Sequence, residues 1–191
     1  FIYLSTVSVN GIKNILPLSE NSIKKPISPY GASKLCGENY CYVYYNCFGL
    51  DSRIARIYNV YGPGLNSLFI SDLIKKIHSS KEQIEIRGDG KQIRDYVYIS
   101  DLVNALTKIS DNGAAGQSYD ISSGNPIQLF EIIEQVTKIM GKKIKVNYDN
   151  NSENGVVKKW FGNPAKISSI GFKTKVNLQD GLKRTINSYG K

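Results

Sequence analysis

Tyr30 and Lys34, in the stretch SPYGASK, stand four residues apart. On a helix that spacing is just over one turn, so the phenol and the ammonium share a face. A cation there favours the phenolate, a base suited to taking a proton from a hydroxyl. The pair is a weak signal by itself, because with 13 Tyr in a Lys-rich chain such a match is expected about once by chance. A helix must position the two groups, and the local residues start one. Ser28 can accept a backbone N–H as an N-cap, and Pro29 fills the first helical position, where its missing donor costs nothing. The helix is predicted from about Tyr30 to Phe48.

The rest of the chain supplies strands to set that helix against. FIYLS reads as a buried strand, followed by a polar loop with Gly11, Pro17 and Pro26. DSRIARIY, from Asp51, reads as the next strand and ends in the loop NVYGPGLNS. SLFISDLIKKIHSS has helical spacing, and QIEIRGDGKQIRDYVYIS reads as two short strands about a turn. DLVNALTKI is a helix that Ser100 or Asp101 can cap, SYDIS a strand, LFEIIEQVTKIMG a helix closed by Gly141, and KIKVNY a strand. NSENG marks a loop, and NLQDGLKRTINSY is a helix with an Asn177-x-x-Asp180 start resembling a capping box. Strands alternating with helices predict an α/β fold with a mostly parallel sheet. Ligands of such sheets bind outside the carboxyl ends of strands, where STVSVN, YNVYG and the start of the Tyr30 helix gather.

Composition narrows the function. The chain is 41% hydrophobic and 21% charged, ordinary globular values, and no apolar run approaches the ~20 residues of a membrane span. The net charge of +9 is scattered, and even GKKIKV alternates with apolar residues, which argues against a nucleic-acid surface. Cys36, Cys41 and Cys47 lack C-x-x-C spacing and read as reduced packing residues of a cytoplasmic protein, with no metal site. His78, the one histidine, sits near a helix C-terminus as a solvated cap and leaves no Ser-His-Asp triad to build. Phe1 opens directly on an apolar run, so an interior start within a longer protein is expected.

The order of motifs is more specific than any one of them. A strand ending Ser5-Thr6, then SPYGASK, then RIYNVYGPG, then GDGKQIRDYVYISDL resembles the extended short-chain dehydrogenase/reductase family. That family holds the NAD-dependent nucleotide-sugar epimerases and dehydratases, and the likeness runs from Phe1 to Tyr189. It implies the carboxyl-terminal part of a Rossmann-type parallel sheet plus a smaller α/β substrate lobe. Residues 1–64 and 88–110 would belong to the dinucleotide domain, and 65–87 and 111–191 to the lobe. By the same likeness Tyr30 is the catalytic acid/base. Lys34 holds the nicotinamide ribose and favours the phenolate, and Thr6 bonds the reacting hydroxyl, with Ser5 as its neighbour at the cofactor. Ile57 and Tyr58 pass the nicotinamide, Asn59 meets the sugar nucleotide, and Arg94 contacts the diphosphate, a charge-assisted task suited to guanidinium. The implied cofactor is NAD, with NADP left open. The implied partners are a nucleotide-diphosphate sugar and a second copy, through the Tyr30 helix with Tyr40, Tyr44 and Phe48. Polysaccharide biosynthesis is the implied setting.

The chain also departs from the family. Val7 and Ser8 stand where the dehydratases carry the acid for water elimination, and Val9-Asn10-Gly11 replaces Val-Tyr-Gly, as in some 4-keto-sugar reductases. Ser152-Glu153-Asn154-Gly155 replaces an Arg-x-Gly-Asp uridine clamp, and the glycine-rich pyrophosphate loop is not in these residues. The reading is therefore a UDP-glucose-4-epimerase-like enzyme, with a 4-keto-sugar reductase or a truncated, non-catalytic sugar-nucleotide-binding module as alternatives. Each site residue has a plainer role too: Thr6 as a strand-end hydroxyl, Asn59 as a turn residue, Arg94 as a surface ion pair with Asp95 on a hairpin.

Overall fold

In the computed structural model, residues 1–12, 15–149 and 157–189 are described. Their elements in chain order are β1 Ile2–Thr6, a 3-10 turn Val7–Val9, α1 Pro29–Phe48, β2 Arg53–Ile57, β3 Asn59–Tyr61, α2 Phe69–Ser79, β4 Gln83–Ile86, β5 Ile93–Tyr98 and α3 Ile99–Asn112. There follow β6 Ser118–Ile121, β7 Pro126–Gln128, α4 Leu129–Ile139, β8 Lys145–Tyr148, β9 Lys159–Trp160, α5 Ala165–Ser169 and α6 Leu178–Ser188. β1, β2 and β6 form a parallel sheet with β2 in the middle, and β4 pairs β8 in parallel. β5 carries a third sheet, parallel to β3 and β9 and antiparallel to β7. This is the predicted α/β class, and β-branched runs such as RIARI account for its strands.

Three expectations need correction. β4 and β5 make no hairpin: β4 pairs with β8 and β5 with β3, β7 and β9, while Ile84 and Ile86 bury in the core that α2, α4 and α6 enclose. β6, assigned by sequence to the substrate lobe, joins β2 in the first sheet, and Ile167 of α5 packs with it. α3 is not capped by Ser100 or Asp101. Its N-cap is Tyr98, and the buried Asp101 carboxylate instead accepts the Lys175 and Val176 N–H groups, each at 3.1 Å. β3, β7, β9 and α5 are also absent from the sequence reading, each being five residues or shorter.

Helix ends follow local chemistry. In α4 the Gln128 N–H donates to Glu131 at 3.0 Å, and in α6 Asn177 accepts the Asp180 N–H at 2.9 Å. The Asp180 carboxylate meets the Asn177 side-chain amide, at 2.8 Å, rather than a backbone N–H. One core lies between α2, α4 and α6, built on Ile74, Ile77, Ile132, Val136 and Leu182. A second packs α3 and α5 on one face of the first sheet through Ala55, Ile109, Tyr119, Ile121 and Ile167. The other face of that sheet carries α1. Of the cysteines only Cys41 packs inside, while Cys36 and Cys47 are exposed.

Candidate active site

α1 begins as its residues dictate: Ser28 accepts the Gly31 N–H at 3.0 Å, with Pro29 following. It ends at Gly49, whose φ of 67° allows the left-handed turn that closes the last carbonyls. Its start is pressed against the 3-10 turn after β1, so closely that a Cβ on Gly31 would stand 2.6 Å from the Ser8 carbonyl oxygen. This puts Tyr30 beside the segment that carries Thr6. Tyr30 is 56% exposed, and Lys34 reaches back to β1, donating to the Leu4 carbonyl at 2.9 Å and lying 5.3 Å from the Tyr3 ring centre. An ammonium has three donors, so Lys34 keeps two for a ligand such as a ribose. The buried Thr6 hydroxyl caps the 3-10 turn, accepting the Ser8 N–H at 3.3 Å.

The other strand ends are more committed. Tyr58 is buried, and its hydroxyl donates to Asp120 at 3.2 Å; burial and that carboxylate push the phenol far up, so its side chain is committed to the interior. Asn59 donates its amide to the Asp95 carbonyl at 2.8 Å, which stitches β3 to β5. Arg94 and Asp95 point to opposite sides of β5, as neighbours on a strand must, and make no surface pair. Asp95 is fully buried and accepts from the Ser123 N–H at 2.7 Å, the Ser123 hydroxyl at 2.6 Å and the Gly124 N–H at 3.0 Å. Arg94 lies 5.6 Å from the Trp160 ring centre and donates to the Ile93 and Lys158 carbonyls. No carboxylate among the described residues is within ion-pair distance of it, and burial pushes its guanidinium down. Trp160 also donates to the Gly11 carbonyl at 3.4 Å, so the segment running on from Thr6 meets the strand pair of Arg94. Residues 152–155, the departure from the uridine clamp, lie outside the described residues.

Sequence reasoning missed a buried polar group beneath α1. Ser5, Arg56 and Asp120 are register partners across β1, β2 and β6, so they form one row on the sheet face under α1. Glu38 descends from α1 onto this row. Its carboxylate takes a bidentate bond from Arg56, Nε at 2.8 Å and Nη2 at 2.7 Å, and the Ser5 hydroxyl donates to it as well. Arg56 also donates to the Glu20 carbonyl at 3.1 Å and stands 3.7 Å from Asp120. Burial pushes the Asp120 carboxyl up to about 6 against the pull of Arg56, and pushes Lys24 down to about 8 with Arg56 adding to the effect. Two signals were readable: Arg56 set between the apolar Ala55 and Ile57, and Glu38 spaced four and eight residues after Lys34 and Tyr30.

A parallel sheet, a helix whose start carries Tyr30 and Lys34 beside the end of β1, and a guanidinium without an acidic partner among the described residues make a Rossmann-like arrangement of the dehydrogenase/reductase type. The family model described as the NAD dependent epimerase/dehydratase family matches residues 1–122, and the chain belongs to that family, whose members are enzymes. The UDP-glucuronate 4-epimerase of Thermodesulfobacterium geofontis is 34% identical over 167 residues, 86% of this chain and 51% of that protein. The crystal structure of the UDP-glucuronic acid 4-epimerase of Bacillus cereus, in complex with UDP-glucuronic acid and NAD, superposes with a TM-score of 0.92 at 31% identity, covering all of this chain and 61% of that one. RMD from Pseudomonas aeruginosa, complexed with NADPH, gives 0.91 at 25% identity, covering 99% and 66%. The chain thus spans about half to two thirds of the length of these relatives. No helix among the described residues is long and apolar enough to cross a membrane.

Proposed function

We propose that the protein containing this chain epimerises a nucleotide sugar at C4 with NAD, and that Tyr30 is the acid/base. The observation that carries the reading is the convergence of Tyr30, Lys34 and Thr6: α1 is pressed against the turn that Thr6 caps, while Lys34 is anchored to the same strand at Leu4. Tyr30 takes the proton of the sugar's C4 hydroxyl and returns one when the other face is reduced; Thr6 holds that hydroxyl. Lys34 favours the phenolate and holds the cofactor's ribose with its remaining donors, while the backbone at Ile57 and Tyr58 lines the nicotinamide. NAD, when bound, supplies hydride acceptance and return. The described residues suit its nicotinamide half. Arg94, already desolvated and without a carboxylate partner among the described residues, would pair the diphosphate, with Asn59 beside it. Ser5 is given no ligand here, because its buried hydroxyl goes to Glu38.

Dehydration is disfavoured: Val7 is buried in an apolar cluster with Leu18 and Tyr58, leaving no acid at the position that the dehydratases use. Elevated exposure of Tyr40, Tyr44 and Phe48 on α1 supports pairing with a second copy. The test is Tyr30→Phe in a chain extended upstream to the relatives' length, assayed for interconversion of UDP-hexoses. A loss of about 10²–10⁴ in turnover is expected. A loss within about tenfold would overturn the acid/base role, and a lasting fall in reduced-nicotinamide absorbance when a nucleotide 4-keto-hexose and NADH are supplied would make the protein a keto-sugar reductase instead.

A further inference from the structure

α1 is twenty residues long, yet only Gly31, Glu38 and Cys41 along it are buried. Polar latches fix α1 to the sheet, and they lie along one stripe. Lys34 donates to the Leu4 carbonyl, Glu38 accepts from Ser5 and Arg56, and the Cys41 carbonyl accepts the Ser52 hydroxyl at 3.2 Å. Positions 30, 34, 38 and 41 follow the spacing of a single helical face, so Tyr30 heads the stripe that these latches hold down. Glu38 is the strongest latch, being buried, bidentate and bound to both β1 and β2.

We infer that Glu38 and Ser5 are positioning residues for Tyr30 and Lys34: gripped by Arg56 and Ser5, the Glu38 carboxylate sets the rotation of α1 and hence the place of the phenol over the end of β1. This rests on the acid/base reading of Tyr30. A tyrosine hydroxyl lies roughly 9 Å from the helix axis, so a rotation of about 10° carries it by about 1.5 Å. A displacement of about 1 Å at a reacting group costs about 10²-fold in rate. Ser5 and Thr6 thus do different work from adjacent positions, one holding the helix and the other facing the ligand.

The experiment compares Glu38→Gln and Ser5→Ala in the chain extended to the relatives' length, with Tyr30→Phe as control. Glu38→Gln is expected to lower kcat by about 10²-fold and Ser5→Ala by about threefold to tenfold, with KM for the sugar nucleotide within about twofold. The ascending limb of the pH–rate profile should move, because the phenol turns with α1 while the Lys34 ammonium stays held by the Leu4 carbonyl of β1. The same variants without cofactor are read by NMR of 13C-labelled tyrosine, with the Tyr30 signal assigned by its loss in Tyr30→Phe; its titration midpoint should move with the limb. Unchanged kcat and an unmoved Tyr30 titration, with only a lower Tm, would overturn the inference and leave Glu38 a plain stabilising residue. If Glu38→Gln does not fold, Ser5→Ala, which keeps the Arg56 pair, decides alone. If Tyr30→Phe retains its turnover, the acid/base reading fails, while the NMR titration still reports whether Glu38 places Tyr30.

Discussion

Removing the Arg56 guanidinium is the sharpest perturbation of this fold. Arg56 is 5% exposed, Glu38 4% and Asp120 0%, so the three charged groups share an interior from which water is excluded. Arg56→Met keeps the apolar stem and the volume but strips two hydrogen bonds, 2.8 and 2.7 Å long, from Glu38 and the nearest cation from Asp120, at 3.7 Å. Breaking a buried pair from one side costs about 3–5 kcal/mol, because the partner charge is left unpaired, against about 1 kcal/mol for an ordinary neutral hydrogen bond. With a second carboxylate left behind, the upper half of that range is expected. For a chain of this size that is about 10 °C or more in Tm. Arg56→Met/Glu38→Met should recover about 2–3 kcal/mol of the loss, since a whole buried pair replaced by apolar groups is often neutral. Urea unfolding at pH 7 followed by circular dichroism, on the parent, both singles and the double, measures the cycle. A loss under about 1 kcal/mol for Arg56→Met, or strictly additive singles, would refute the claim that this pair organises the face under α1.

Two further outcomes follow from the same sites. Burial raises the Asp120 carboxyl from its ordinary 3.8 to about 6, so between those values the folded state holds the extra proton. This group's contribution to stability therefore grows as pH falls from about 6 to about 4, and its ionisation is a cost above about 6. Asp120→Asn should remove that component, and urea midpoints at pH 4.5 and 7 that change as much as the parent's would contradict it. Gly31→Ala puts a Cβ 2.6 Å from the Ser8 carbonyl and 3.0 Å from the Pro26 ring, for a cost of about 1–3 kcal/mol that outweighs the ~1 kcal/mol gain in helix propensity. A Gly31→Ala chain more stable than the parent in the same urea assay would mean that α1 does not depend on this close approach.

How much of this was legible depended on whether a feature was local. The start of α1 was, because Ser28 and Pro29 act on atoms within one turn, and so were β1, β2 and β6, whose β-branched residues announce strands. Partners were not. β4 and β5 read as a hairpin because Gly88 and Gly90 lie between them, yet the burial of Ile84 and Ile86 against distant helices sent β4 to β8. Asp101 looked like a helix cap because Asp is a good cap, and only the approach of residues 175 and 176 makes its carboxylate worth more inside. Tyr30, Lys34, Thr6 and Arg94 were singled out by their order in the chain, whereas Glu38 and Arg56, eighteen residues apart, became a pair only once β2 was laid under α1.

The end of β1 shows why the pair matters to any account of the site. Leu4, Ser5 and Thr6 follow one another, yet the first gives its carbonyl to Lys34, the second its hydroxyl to Glu38, and the third caps the turn against which α1 begins. Alternation along a strand sends neighbouring side chains to opposite faces, and here it separates a hydroxyl that grips the helix from one that caps the following turn. Loss of activity at Ser5 and at Thr6 would therefore look alike in a simple turnover assay while arising differently. A Thr6 defect leaves the Tyr30 titration where it was, because α1 has not moved; a Ser5 defect lets the phenol turn with the helix while the Leu4 carbonyl holds the Lys34 ammonium, and so shifts it. The distinction holds as long as Arg56 keeps the Glu38 carboxylate in place, which makes β2, remote from any proposed ligand contact at Arg56, part of the machinery proposed to aim the phenol.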